Sequence, residues 1–336
     1  MRVVESLNAA LHRMMAGDPR VMLIGEDLLD PYGGAFKVAK GLSTTFPAQV
    51  ITTPISESGL VGVAIGLSLR GFKPVAEIMF GDFVTLAVDQ IVNHATKFAW
   101  MFGSGELPLV VRVPMGGYRG YGPTHSQSLE ALFMAVPGLT VAAPSHLHDA
   151  GLLLERATLA TGRPVLFVEN KSLYPVELAT GERVGPLAAR IVDPSRPFPT
   201  VVLSAAPTER PDVTLVAYGG LVPMALKAAV EVMIEDEILV EVVVPSQLRP
   251  LPMDDLLPSA TASGRVLVIE EGPRLGGWSG HVAAELSERL FGRLRAPVAR
   301  IGARDLPIPS AKQMESQVLP AVEDILAGIR ALAGRS

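Results

Sequence analysis

The chain has no cysteine, so thiol nucleophiles, thiolate metal sites and disulfides are excluded and any proton chemistry must come from carboxylates or from six histidines. Glu57 is the leading carboxylate. It sits in Thr53-Pro54-Ile55-Ser56-Glu57-Ser58-Gly59, where a short β-branched run ends and Ser56 is placed to cap a helix. The apolar segment that follows carries Gly59, Gly62 and Gly66 along one side, so the expected unit is a strand, a tight corner and a closely packed helix. An acid at such a corner faces the ligand crevice of an open α/β sheet, outside the carboxyl ends of its strands. The bland alternative is a solvated acid in a first helical turn, where the macrodipole favours an anion. Glu26 and Asp27 follow the run Val21–Ile24 and occupy the same kind of position. His125 is the only histidine flanked by hydroxyl and amide side chains on a glycine-rich loop, in Thr124-His125-Ser126-Gln127-Ser128, which makes it the candidate general acid or base. A loop histidine without a role is the rival reading. Phe83 falls at a turn, off the apolar stripe of the next helix, and offers either core packing or a flat stacking surface.

The elements that position these residues follow an alternating pattern. Strands are expected at Val21–Ile24, Val50–Thr53, Lys73–Phe80, Leu107–Val113, Leu139–Ala143 and Pro164–Glu169, with helices over Val3–Ala16, Val84–Met101 and His146–Ala160. That order gives one parallel-sheet domain over residues 1–175. His12, His94, His146 and His148 read as structural, capping or surface residues. Residues 176–211 are rich in proline and keep no period, which reads as an interdomain connection. A second alternating series fills residues 212–336. Its strands are Val213–Ala217, Leu239–Val244, Arg265–Glu270 and Pro297–Ile301, and its helices Leu221–Met233, Gly280–Leu290 and Glu315–Leu332. It shows no catalytic constellation, and the loop from Glu270 to Trp278 reads as a subunit contact with His281 as its one titratable neighbour. The fold class is therefore two successive three-layer α/β domains.

Composition narrows the partners. A formal net charge of −5 and the lack of a basic arm argue against nucleic acid or an anionic membrane. Charged residues are 19% and hydrophobic residues 49%, too little charge to cover a monomer, so other subunits are expected to bury part of the surface. No apolar run reaches membrane-spanning length, and the first eight residues lack a basic segment followed by an apolar one. A soluble, unprocessed cytoplasmic protein is the expectation. The βα turns also lack the G-x-G-x-x-G fingerprint that a nicotinamide-binding oxidoreductase would need.

Five stretches taken together carry a resemblance: T-P-I-S-E-S-G at 53–59, E-I-M-F-G-D-F at 77–83, T-H-S-Q-S at 124–128, D-V-T-L-V-A-Y-G at 212–219 and V-L-V-I-E-E-G at 266–272. In this order the chain resembles the β subunit of thiamine-diphosphate-dependent 2-oxo acid dehydrogenase E1 components, of the pyruvate and branched-chain, transketolase-like type. The resemblance implies a pyrimidine-binding domain followed by a transketolase C-terminal-like domain, and an oxidoreductase subunit that decarboxylates a 2-oxo acid and passes the acyl group to lipoyl-E2. It implies that Glu57 shares a proton with N1′ of the cofactor's aminopyrimidine and that Phe83 packs on that ring. It also implies that Glu26 belongs to an acidic route between paired sites and that His125 assists acyl transfer. The family holds the magnesium ion of the cofactor's diphosphate on a separate α subunit, through a loop resembling G-D-G followed by N, which this sequence lacks. An α₂β₂ heterotetramer is thus implied, with no metal ligand from this chain. The sequence departs from the family at Val244–Leu251, at the long stretch Asp193–Arg210 and at the loop Gly117–Pro123, the last of which bears on the substrate. Two other readings stand beside the first: a thiamine-diphosphate-dependent acyl or aldehyde transferase subunit of specialised metabolism, and a non-catalytic subunit that stabilises a partner.

Overall fold

Six runs, all but the edge strand largely buried on both faces, make the parallel part of the first sheet, as expected of parallel strands covered by helices on each side. The computed structural model describes residues 1–103 and 105–335, and in it these runs are β1 (Val21–Gly25), β2 (Val50–Thr52), β3 (Lys73–Glu77), β4 (Val110–Met115), β5 (Thr140–Ala142) and β6 (Val165–Asn170). The period of two divides their side chains between two cores. Leu23, Val75, Val110 and Phe167 face the helices Val3–Gly17 and Ala150–Leu159, while their neighbours Ile24, Ala76, Val111 and Leu166 face the helix Glu57–Leu69 and the turns after β3.

Further along are β7 (Arg183–Val184), β8 (Leu187–Val192), β9 (Thr200–Ser204), β10 (Val213–Val216), β11 (Val240–Pro245), β12 (Gln247–Arg249), β13 (Val266–Pro273) and β14 (Ala299–Ala303). Two seven-stranded sheets result, in the orders β12-β5-β6-β4-β3-β1-β2 and β14-β13-β10-β11-β9-β8-β7. Both are mixed. β12 crosses from the second half of the chain to pair antiparallel with β5, so the first sheet is not purely parallel as its own sequence suggests. Within residues 176–211, where the sequence pattern yields only a connection, β7, β8 and β9 build an antiparallel edge on the second sheet. Their prolines explain the concealment: Pro186 lies in the β7–β8 turn, and Pro194, Pro197 and Pro199 lie between β8 and β9, where a missing N–H costs no ladder bond.

Other helices differ in the same way. The run expected over Val84–Met101 is a 3₁₀ turn (Gly81–Ala87), a π turn (Gln90–Ala95) and a short α-helix (Phe98–Phe102), with Val84, Ala87, Ile91 and Ala95 buried. Pro320 splits the expected Glu315–Leu332 helix into Lys312–Glu315 and Val322–Ala333. The helix after β5 starts at Ala150, capped by Asp149, whose carboxylate accepts from the N–H of Leu152 at 3.1 Å. His146 and His148, expected at that helix's surface end, are instead buried, and burial lowers both to about 4, so they pack as neutral rings. Among the described residues no helix is long and apolar enough to cross a membrane.

The two halves share one apolar core, in which Ile24, Val111 and Leu166 join Tyr218, Leu248, Leu256 and Trp278. Polar ties cross the same boundary. Arg249 donates to the carbonyls of Val136 (2.8 Å) and Met134 (2.7 Å), Asn170 donates to Glu271 (2.7 Å), and the Tyr218 hydroxyl donates to Glu130. Glu130 Oε2 has no partner, and burial pushes this carboxyl up to about 7 against the pull of the Tyr218 hydroxyl. Between the ordinary glutamate range and about pH 7 the folded chain therefore holds a proton that the unfolded chain has released. The contribution of Glu130 to stability should fall as pH rises through that window, by up to about 3 kcal/mol. Urea titrations at pH 5 and pH 8 should show this fall in the native chain relative to Glu130→Gln, because the opposing contribution of His146 and His148, which are neutral when folded, is common to both chains.

Candidate active site

Strand order reverses around β1: β2 lies on one side, and β3, β4 and β6 follow on the other. Such a switch point leaves a crevice beyond the strands' carboxyl ends. Glu26 follows β1, Ser56-Glu57 follows β2, Phe80–Phe83 follows β3, the loop Gly116–Ser128 follows β4, and Lys171 follows β6. Every residue that the sequence singles out as a site candidate is thus delivered to one edge.

The first acid pair is built by the corner after β2. Ser56 Oγ accepts from the N–H of Gly59 at 3.3 Å and caps the helix that opens with Glu57. The Ser56 N–H in turn donates to Glu26 at 3.0 Å. Both acids are 4% exposed. Burial pushes Glu26 above the ordinary carboxylate range, partly opposed by that N–H, and the neighbouring charge of Glu57 adds to the rise. Among the described residues the Glu57 carboxylate accepts no hydrogen bond from the protein. Glu57 is thus largely covered rather than standing free on the first turn of the helix.

Phe83 lies on the 3₁₀ turn that packs against the Glu57–Leu69 helix and is half-buried. His125 stands edge-on to Phe80 (4.7 Å between ring centroids) and to Phe83 (5.2 Å), and Phe80 and Phe83 meet edge-on at 6.0 Å. Its Nδ1 is 3.0 Å from Thr124 Oγ1, which leaves Nε2 as the ring nitrogen able to hold or move a proton. Asp82 fixes this loop from the β3 side, accepting from the N–H (3.3 Å) and the Nε2 (2.8 Å) of Gln127. Gly81 is required for the approach, since a Cβ there would meet Met115 Cγ at 2.2 Å. A cleft of about 330 Å³ between Gln127 and the loop Arg304–Ile308 lies behind the His125 loop, and Glu57 does not line it.

A buried ion cluster under the site escaped the sequence reading. Arg112 on β4 donates through Nη1 to Glu77 on β3 (2.6 Å), and through Nε and Nη2 to Glu169 on β6 (2.6 and 2.7 Å). Tyr174 adds its hydroxyl to Glu169 at 2.7 Å, and all four side chains are buried. The signal was present as single charges inside strands that are covered on both faces, where a charge must find a partner. As for metals, no group of three or more His, Asp or Glu side chains converges on a possible metal site among the described residues.

Residues 1–177 match the family described as the transketolase pyrimidine-binding domain, and residues 205–325 match the transketolase C-terminal domain. The chain is 39% identical to the pyruvate dehydrogenase E1 component subunit beta of Leifsonia xyli, over 96% of this chain and 92% of that one. It is 37% identical to the 3-methyl-2-oxobutanoate dehydrogenase subunit beta of Mycobacterium tuberculosis, over 97% and 90% of the two chains. It is 34% identical to the acetoin:2,6-dichlorophenolindophenol oxidoreductase subunit beta of Cupriavidus necator, over 97% and 95%. Among solved structures, a split-gene transketolase in an inactive β4 tetramer superposes with a TM-score of 0.75 at 22% identity, covering 99% of each chain, a likeness of fold.

The ion cluster carries its own expectation. Arg112→Met removes the one cation that, among the described residues, lies between two buried carboxylates, and should lower unfolding stability by about 3–5 kcal/mol. A urea titration of the purified chain measures this, and a loss below about 1 kcal/mol would contradict the role assigned to Arg112.

Proposed function

The chain belongs to the family of β subunits of 2-oxo acid dehydrogenase E1 components, built from transketolase-type pyrimidine-binding and C-terminal domains, and we propose that it supplies half of each active site in a thiamine-diphosphate-dependent enzyme that decarboxylates a 2-oxo acid. One observation carries the reading: Glu57 is buried at the switch point and, among the described residues, accepts no hydrogen bond, beside a second acid and at the start of the helix that packs against the turn carrying Phe83. Those groups fit an aminopyrimidine, which offers one ring nitrogen to a carboxyl and a flat face to an aromatic side chain. When bound, thiamine diphosphate supplies the electron sink that accepts the pair released as carbon dioxide leaves.

The residues of this chain divide the work. Glu57 holds a proton at the pyrimidine nitrogen, and Phe83 presents the face on which that ring rests. Glu26 keeps its own proton to higher pH, which spares the pair the cost of two adjacent buried anions. His125, steadied through Nδ1 by Thr124, holds or hands over a proton at the reacting carbon through Nε2. Phe80 and Phe83 keep water from the same space. The magnesium that neutralises the diphosphate comes from an α subunit in an α₂β₂ assembly, and the acyl group passes to the lipoyl group of an E2 component in the cytoplasm. Low charge content supports the buried subunit contact that such an assembly needs.

The test is dye reduction by the chain co-purified with its partner α chain, thiamine diphosphate, magnesium and a panel of 2-oxo acids. Glu57→Gln should lower kcat by at least about 100-fold without dissociating the complex. Turnover within twofold of the native assembly would instead assign the chain a purely supporting role.

A further inference from the structure

Lys171 is fully buried and makes no ion pair among the described residues, an uncommon condition for an ammonium group. It follows β6 and reaches beneath the loop Gly116–Ser128. Its Nζ donates to the carbonyl of His125 at 2.7 Å and lies 3.5 Å from that of Pro114, with the Phe80 ring centroid 5.4 Å away. The loop has little stiffness of its own, because Gly116, Gly120 and Gly122 stand at φ +98°, +70° and +82°. Other anchors hold it on either side of His125, among them the Tyr118 hydroxyl, which donates to the carbonyl of Pro320 at 2.8 Å, and Arg119, which donates to the carbonyl of Lys171 at 3.3 Å. Glu271 accepts from the N–H of Gly117 (2.5 Å), Glu315 from that of Gly120 (3.0 Å), and Asp82 from Gln127. Between Pro123 and Ser126, among the described residues, the hydrogen bond from Lys171 is the one that comes from outside the loop. Burial lowers the ammonium to about 8, with Asp82, Glu271 and Glu315 pulling it back up and Arg119 adding to the fall. A group so costly to bury is poorly explained as packing, since an apolar side chain of the same length would fill the space without the desolvation penalty.

We propose that Lys171 is a positioning residue for His125: by gripping the histidine's own carbonyl it sets the imidazole against the Phe80–Phe83 wall and so at the reacting carbon. The proposal rests on the reading of His125 given above.

The experiment uses the assembly with its α chain and compares native, Lys171→Met, His125→Ala and the double variant. Methionine keeps the stem and removes the donor. Lys171→Met should lower kcat by about 10- to 100-fold, the scale of a misplacement on the order of 1 Å. KM for the 2-oxo acid and the affinity for thiamine diphosphate, followed by calorimetry, should stay within about twofold. In the His125→Ala background the same substitution should change kcat by less than about twofold, because a group acting through His125 has nothing left to act on. Multiplicative effects in the double variant, failure to assemble, or cofactor affinity falling in step with kcat would each place Lys171 in the scaffold and overturn the proposal. If His125→Ala leaves turnover unchanged, the proposal falls together with the histidine's assigned role. If His125→Ala is impaired and the effects multiply, the proposal alone falls.

Discussion

Arg112 lies between the carboxylates of Glu77 and Glu169, and each of the three comes from a different parallel strand, with Glu77 and Glu169 near the carboxyl ends of theirs. Backbone ladders fix the spacing of neighbouring strands, but they leave open how the loops beyond them are aimed. The ion cluster closes that freedom for β3, β4 and β6 at once, because a guanidinium forked onto two carboxylates tolerates little change in angle. Phe80, Asp82 and Phe83 leave from β3, the His125 loop from β4, and Asn170 and Lys171 from β6. The aromatic wall, the histidine and the lysine beneath it therefore inherit their relative positions from one buried cation. Two anions around one cation leave a net negative charge, and Tyr174 offsets part of its cost by donating to Glu169. Burial still pushes Glu77 above the ordinary carboxylate range.

What the sequence made legible were those features that depend on short spacing. Glu26 and Glu57 could be placed because each follows a short strand-like run, and an acid at a strand end has few places to go in an open α/β sheet. The alternation of strands and helices was equally visible, since period-two burial is written directly in pairs such as Leu23-Ile24 and Val110-Val111. The features that stayed hidden depend on residues far apart. Arg112, Glu77 and Glu169 are separated by 35 and 57 positions, and nothing local to any of them names its partner. β12 pairs with a strand about a hundred positions earlier, so it could not be assigned from its own three residues. Proline misled in both directions: Pro258 concealed the helix Met253–Ser263, while Pro320 broke a helix that the apolar period continued through. The two buried histidines show a third limit, because a helix start offers capping roles that the surrounding core overrode.

The second domain contributes more to the site than its lack of catalytic motifs suggests. Its acids reach across the boundary to the glycine loop: Glu271 to Gly117 and Asn170, and Glu315 to Gly120. A glycine-rich loop pays heavily in entropy to adopt one conformation, and at its glycines the backbone groups are the handles it offers. Buried carboxylates are the strongest acceptors for such handles. Glu270 and Glu271, which looked like a subunit contact, are thus internal supports. Glu270 accepts from Trp278 and Ser279 and fixes the start of the next helix, while Glu271 works on the loop that carries His125.

An acid in the first turn of a helix ordinarily spends its hydrogen-bonding capacity on the free N–H groups there. In this chain Ser56 takes that place. Its hydroxyl receives the N–H of Gly59, and its own N–H is turned toward Glu26. Glu57 is thereby left close to a positive helix end without a direct donor, and at 4% exposure it has little water to turn to. A carboxylate in that position gains from any ligand that brings a nitrogen to share a proton with. The serine before the glutamate is therefore as much a part of the arrangement as the glutamate itself, since by capping the helix it keeps the acid available.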